Sequence, residues 1–354
     1  MQHRTLGRSG TVVSSMALGT MDFGTMTPEA DAFAVLDAYV DAGGNFIDTA
    51  DVYGGGKSEE TLGKWFAARP AEVTDTIVIA TKARSPLGPG INDQGNSRRH
   101  LDRQLNQSLR RLGRDNVDLY QLHAWDPITP VEETFSFLRD AISAGKIHQV
   151  GISNFTGWQL QLMVSTAKAM GVDVPVTIQQ QYSLLSRESE SDVFGGAAYN
   201  GLGILAWSPL ADGFLTGKYR RDSNPSSGTR ASSDNPVYEY TASYRAADPQ
   251  TWDVVDALVA AADETGQSPA RVALSWLHDR PGMTAPIIGA RNTEQLHDNL
   301  AAADLHLDAA IRDRLDAVSA PKVGQYPYGP FGAAQRARSV DGGVPLMDTI
   351  QAAQ

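Results

Sequence analysis

Residues 117–154 read VDLYQLHAWDPITPVEETFSFLRDAISAGKIHQVGISN. Two short apolar runs, 117–123 and 149–154, flank an amphipathic stretch, 131–144, that stops at Gly145. Neither run alternates polar with apolar side chains, as expected of parallel strands buried on both faces. Strand, helix and strand in succession predict a βαβ unit.

The same rhythm extends in both directions. Three runs precede this unit: 16–20 (MALGT), 45–49 (NFIDT) and 77–82 (IVIATK). Three follow it: 177–181 (TIQQQ), 203–208 (GILAWS) and 286–290 (PIIGA). Helical patterns lie between them. The stretch 29–41 follows Thr27-Pro28, a cap-and-first-turn signal, and ends at Gly43-Gly44. Ser58 with Glu59 and Glu60 opens another helix. The stretch 97–112 closes on Gly113, and 158–170 closes on Gly171. Eight βα repeats predict a (β/α)8 barrel of the TIM type forming one domain over residues 1–354. A doubly wound open sheet is the alternative, but it would carry a glycine-rich phosphate loop after its first strand. Residues 3–13 predict a hairpin turning at Gly7–Gly10 and capping the barrel floor. Residues 211–247 and 320–354 break the rhythm and read as irregular, hence functional or disordered.

Composition narrows the function. The net charge of −11 over 354 residues argues against nucleic acid and anionic membrane surfaces as partners. There is no cysteine, which rules out disulfides and thiolate metal sites and fits a cytoplasmic location. The seven histidines have no metal-ligand spacing, so no metal is expected. The first fifteen residues lack a signal-peptide core, and no stretch is long and apolar enough to span a membrane.

Barrel enzymes place their chemistry at the carboxyl ends of their strands, and that is where polar residues gather. Asp48 ends the second strand and Tyr53 follows it. Lys82 ends the third and His123 the fourth. Ser153 and Asn154 end the fifth, and Gln179 lies in the sixth. Alone, each has a structural explanation: a cap, a surface turn, a lysine reaching solvent, a satisfied core histidine. Their shared position at one end of successive strands favours a site. A lysine closing IVIAT needs a carboxylate partner, and Asp48 can supply it. A phosphate-loop reading of GGGKS (54–58) fails because the required earlier glycine falls at Asp51.

Six segments in order, FIDTADVYG (46–54), EETLG (59–63), DLYQLH (118–123), GKIHQVGISNF (145–155), AWSPL (206–210) and IGARNTEQLHDN (288–299), resemble the successive signatures of the aldo-keto reductase superfamily. LGRSG near the start and YQLHAWDP resemble the branch of aryl-alcohol dehydrogenases and potassium-channel β-subunits. The resemblance implies NADPH-dependent reduction of a small carbonyl substrate. It assigns a catalytic tetrad to Asp48, Tyr53, Lys82 and His123. Tyr53 is then the general acid, Lys82 lowers its pKa, Asp48 holds Lys82, and His123 orients the carbonyl. It implies cofactor contacts from Gly19, Thr20, Met21 and Asp48 near the first strands. Ser153, Asn154 and Gln179 meet the carboxamide, and Trp207 stacks on the nicotinamide. Ser208, Pro209, Leu210, Gly213 and Lys218 lie over the pyrophosphate. Gly289, Arg291, Gln295 and Asn299 form the adenosine and 2′-phosphate site. Phe23 and Trp125, with Tyr53 and His123, are expected to wall the substrate pocket. The tail aromatics Tyr326, Tyr328 and Phe331 are candidates for the same wall. Three other functions compete: the reverse alcohol or sugar dehydrogenase, a slow NADPH-binding redox sensor, and a lyase using Lys82 as a Schiff base.

Overall fold

A computed structural model describes residues 1–221, 236–337, 339–340 and 344–345. A hairpin of β1 (His3–Thr5) and β2 (Val12–Ser14) opens the chain. Eight parallel strands follow: β3 (Ala17–Gly19), β4 (Phe46–Asp48), β5 (Val78–Ala83), β6 (Val117–Leu122), β7 (Ile147–Ser153), β8 (Thr177–Gln181), β9 (Gly203–Trp207) and β10 (Met283–Gly289). They pair in sequence order, and β10 closes on β3 with Gly289 opposite Gly19. The fold is the (β/α)8 barrel that the repeats predict.

Helices cover its outside. They are α1 (Glu29–Asp41), α2 (Lys57–Ala67), the single turn α3 (Ala71–Thr74), α4 (Arg98–Leu112), α5 (Val131–Ser143), α6 (Gly157–Met170) and α7 (Val193–Asn200). Beyond β9 come α8 (Pro236–Ala247), α9 (Pro249–Thr265) and α10 (Pro269–His278). After β10 come α11 (Thr293–Leu300), α12 (Ala309–Val318) and α13 (Pro330–Arg336). Local chemistry sets their ends. Ser97 accepts the His100 amide at the start of α4, and Gly113 turns left-handed at its finish. Asp248 and Ser268 cap α9 and α10, each ahead of a proline in the first turn. Outward strand side chains and inward helix faces form the larger core, including Trp65, Tyr120, Phe135 and Trp276. None of the described helices is long and apolar enough to cross a membrane.

Inside the barrel the strands' period of two sorts residues by height. The lower layer is apolar: Ala17, Phe46, Ala80, Leu119, Leu205 and Ala285, closed beneath by Leu6 and Val13 of the hairpin. The Arg4 guanidinium ties that hairpin to the carbonyls of His278 and Met283, at 3.1 and 2.7 Å. Two residues further along the strands, the inward positions are Asp48, Lys82, Gln121 and Gln179, all buried. Gly151 makes room for them. A Cβ there would stand 2.6 Å from the Thr177 hydroxyl and 2.9 Å from Gln121 Cγ.

Four expectations need correction. Pro28, not Thr27, occupies the cap position of α1, and no side chain caps it. Ser58 lies inside α2, because Gly54, Gly55 and Gly56, all at positive φ, turn the chain into that helix one residue early. Its buried hydroxyl joins those of Thr20 and Thr49, each at 2.8 Å. The segment 211–247 is not irregular throughout: it holds a 3-10 turn at Ala211–Thr216 and all of α8. The tail holds α13 and a short pair, β11 (Ser339–Val340) with β12 (Val344–Pro345). Within these two segments, residues 222–235, 338, 341–343 and 346–354 lie outside the described residues.

Candidate active site

Lys82 is the centre of the site. Its ammonium is fully buried, and each of its three N–H donors has an acceptor. These are Asp48 Oδ1 at 2.5 Å, the Thr49 carbonyl at 2.8 Å and the Tyr53 hydroxyl at 3.3 Å. Asp48 is satisfied on its other oxygen by two amides, from Gln121 at 3.0 Å and Gln179 at 2.9 Å. Burial works against the lysine's charge, but Asp48 and Tyr53 outweigh it and hold the pKa above its ordinary value. Lys82 therefore carries its charge at neutral pH.

Tyr53 reaches over Lys82 from the loop after β4. The Lys82 ammonium lies 5.0 Å from the centre of its ring, and the His123 ring meets it edge-on with centroids 5.9 Å apart. Burial raises the phenol's pKa, and Asp48 adds to that. Lys82 pulls the other way without prevailing. Lys82 acts in the expected direction, but burial outweighs it and the net shift is upward. Tyr53 carries its proton at neutral pH, and the cation stands ready for the charge left when the proton leaves. His123 is held neutral, its pKa pushed down to about 3 by burial, Lys82 and Arg84. Its Nδ1 is buried without a hydrogen-bond partner.

Tyr53 and His123, but not the buried Lys82, border a cavity of about 420 Å³ at the carboxyl ends of the strands. Gly19, Met21, Phe23, Asp48, Tyr53, His123, Ser153, Asn154, Gln179 and Trp207 all line it. Asn154 is a hub here. Its amide donates to the His123 carbonyl at 2.9 Å, and its oxygen accepts the Trp207 indole N–H at 3.1 Å. A second cavity of about 250 Å³ takes in Leu210, Gly213, Lys218, Arg291, Gln295 and Asn299. Ser208, Pro209 and Gly289 line both, so the two form one continuous trough. On the shared wall Ser208 and Asp212, with the buried Ala211 between them, hold φ near +50°, a conformation that costs energy and concentrates at working sites.

Several expected residues sit elsewhere. Thr20 is buried and points into the wall, where its hydroxyl donates to the Asp48 carbonyl at 3.0 Å. Trp125 stands outside the trough, edge-on against Phe155 and Trp158. Beside it, Asp126 accepts the Ile128 amide of its own loop and the Asn96 amide of the loop after β5. Tyr326, Tyr328 and Phe331 are exposed and line no described cavity. Sequence reasoning missed Gln121, which the alternation 119, 121, 123 along DLYQLH would have placed inward. It also missed Asp22 and Asp212, which line both cavities.

A parallel barrel with a lysine-backed tyrosine at the carboxyl-end mouth is the frame of a barrel enzyme. Residues 15–320 match the Aldo/keto reductase family, and the chain belongs to it. It is 38% identical over 338 residues to the uncharacterized oxidoreductase YrpG of Bacillus subtilis (strain 168), covering 92% of this chain and 98% of that one. It is 36% identical to a probable voltage-gated potassium channel subunit beta of Oryza sativa subsp. japonica, over 91% of this chain and 98% of the relative. It is also 34% identical to the L-glyceraldehyde 3-phosphate reductase of Escherichia coli (strain K12), over 85% and 87%.

Proposed function

We propose that this protein reduces an aldehyde or ketone to an alcohol with NADPH, and that Tyr53 is the general acid. The observation that carries the reading is the buried Lys82 ammonium bonded at once to Asp48, Thr49 and Tyr53, behind the cavity that Asp48 and Tyr53 line. A nicotinamide cofactor would supply the hydride when bound. The residues fit it: the trough runs from the tyrosine past Ser208 and Gly289 to Lys218 and Arg291. Ser153, Asn154 and Gln179 would hold the carboxamide, and Trp207 would cover the ring. Lys218 would meet the pyrophosphate. Arg291, where α11 begins, would meet the 2′-phosphate.

Tyr53 and His123 grip the substrate carbonyl oxygen from two sides. The Tyr53 proton moves to that oxygen as negative charge develops on it. The phenolate that results faces a buried cation, so its charge is stabilised in a water-poor site. Asp48 keeps Lys82 charged and in place throughout. The same groups accelerate alcohol oxidation, so direction follows the cofactor ratio and substrate supply. A Schiff-base lyase is disfavoured, because the Lys82 nitrogen is fully buried and all its protons are engaged. The assay is nicotinamide oxidation at 340 nm across a panel of aldehydes and ketones, with NADPH and NADH side by side. NADPH-preferring turnover of some carbonyls is expected. Absence of turnover with every carbonyl in the panel would overturn the reading.

A further inference from the structure

A third cavity, about 520 Å³, adjoins the mouth of the active site. Gln181 at the end of β8 and Thr241 on α8 line both it and the catalytic cavity. Arg245, one turn further along α8, lies in its wall and is only 5% exposed. A guanidinium has five N–H donors. Arg245 uses two of them, on the Leu185 carbonyl at 3.2 Å and the Ser186 hydroxyl at 3.3 Å. Its Nε is buried without a hydrogen-bond partner. Among the described residues the nearest carboxylate, Asp212, stands 3.9 Å from Nε, and its other oxygen faces the Ser208 hydroxyl at 3.2 Å.

The other charges of this cavity are largely answered within the fold. Arg187 makes a two-pronged bond to Glu190, at 2.8 and 2.9 Å, and Lys322 meets Asp248 at 3.0 Å. Glu188 also borders the cavity and attracts Arg245 at longer range. Even so, burial pushes the Arg245 pKa down further than Asp212 and Glu188 together restore it. A buried cation so poorly compensated is costly unless an anion joins it. A bound carboxylate or phosphate could take up its spare donors in pairs, the geometry for which a guanidinium is suited.

We propose that Arg245 anchors the anionic end of the substrate, so that this enzyme prefers carbonyl compounds bearing a remote carboxylate or phosphate. The proposal rests on the reductase reading above. One helical turn, about 6 Å, separates the shared wall at Thr241 from Arg245. The anion therefore lies several bonds from the carbonyl carbon.

The test compares kcat/KM with NADPH for 4-oxobutanoate, 6-oxohexanoate and 8-oxooctanoate against their methyl esters. Glyceraldehyde 3-phosphate against glyceraldehyde forms the phosphate arm. A charge-assisted contact corresponds to a preference of roughly 10- to 150-fold for the anion, expected to be largest for the longer acids. Whichever arm shows the larger preference identifies the headgroup. Arg245→Met should erase that preference through KM and leave kcat near wild type, while the ester's KM moves little. Arg245→Lys should retain a part of it. The proposal is overturned if wild type treats acid and ester alike in both arms, if the preference survives in Arg245→Met, or if that variant loses both substrates equally. Turnover of the uncharged esters by wild type reports separately on the reductase reading, which fails if they are inert together with the acids.

Discussion

The ion pair between Lys82 and Asp48 can be weighed by a double-mutant cycle. Lys82 is fully buried and Asp48 is 2% exposed. Lys82→Met strands Asp48 Oδ1, while Oδ2 keeps the amides of Gln121 and Gln179. Breaking a buried pair costs about 3–5 kcal/mol, and the two surviving donors put this case near the lower end. Asp48→Asn leaves the ammonium its Thr49 and Tyr53 acceptors and a neutral oxygen in place of the carboxylate, a loss of about 1–3 kcal/mol. The double variant buries no uncompensated charge. Its destabilisation should fall short of the sum of the single effects by about 2 kcal/mol, within the range seen for touching residues. Urea unfolding followed by tryptophan fluorescence and circular dichroism measures all four corners. Carbonyl reduction should stay low in every variant that lacks Lys82, since the phenolate loses its cation. Strict additivity, within about 0.5 kcal/mol, would refute the argument that these two side chains sustain each other's charge.

Tyr53→Phe should keep cofactor affinity and lose about 10²–10⁴-fold in the chemical step; single-turnover rates that stay above a third of wild type would remove the tyrosine from the acid's role. Arg291→Ala should weaken NADPH about 10- to 150-fold, the equivalent of one charge-assisted bond, and barely touch NADH. Fluorescence titration with both nucleotides checks this, and equal weakening would move the 2′-phosphate elsewhere. Asp51 is wholly buried beside Glu59, and burial, with Glu59 adding, raises its pKa to about 8. The unfolded value is near 4, about 3.9 for a free aspartate, so between those pH values the folded state holds the extra proton. This contribution to stability is full below pH ~4 and is lost as pH rises through 8. Asp51→Asn should flatten that part of the slope in thermal melts between pH 5 and 8. An unchanged slope would mean that Asp51 is already ionised in the fold.

The barrel was legible because its evidence is repeated eight times, and each apolar run between polar stretches repeats the same physical demand for burial on both faces. That Asp48, Tyr53, Lys82 and His123 would meet at one end of the barrel was legible for a related reason: strand-end position is readable wherever strands are. Side-chain direction was harder. Thr20 and Trp125 were placed in the site by their neighbours in sequence, yet Thr20 turns back to the Asp48 carbonyl and Trp125 packs edge-on against Phe155. Those choices depend on residues distant along the chain. Gln121 was passed over because a glutamine in a strand looks like ordinary polarity until Asp48 is known to face it. The helix α8 was hidden by its composition. Tyr240 and Tyr244 face outward, and Arg245 points in, the reverse of the usual pattern of an amphipathic helix.

The opening hairpin has a consequence for traffic. Leu6 and Val13 stop the lower end of the barrel, and Arg4 bolts them to the base of β10. A molecule that reaches Tyr53 has no exit beneath it, so arrival and departure share one doorway. On the proposed reductase reading, cofactor, substrate and product would all pass the same rim, so that whatever lies deepest would go in first and come out last.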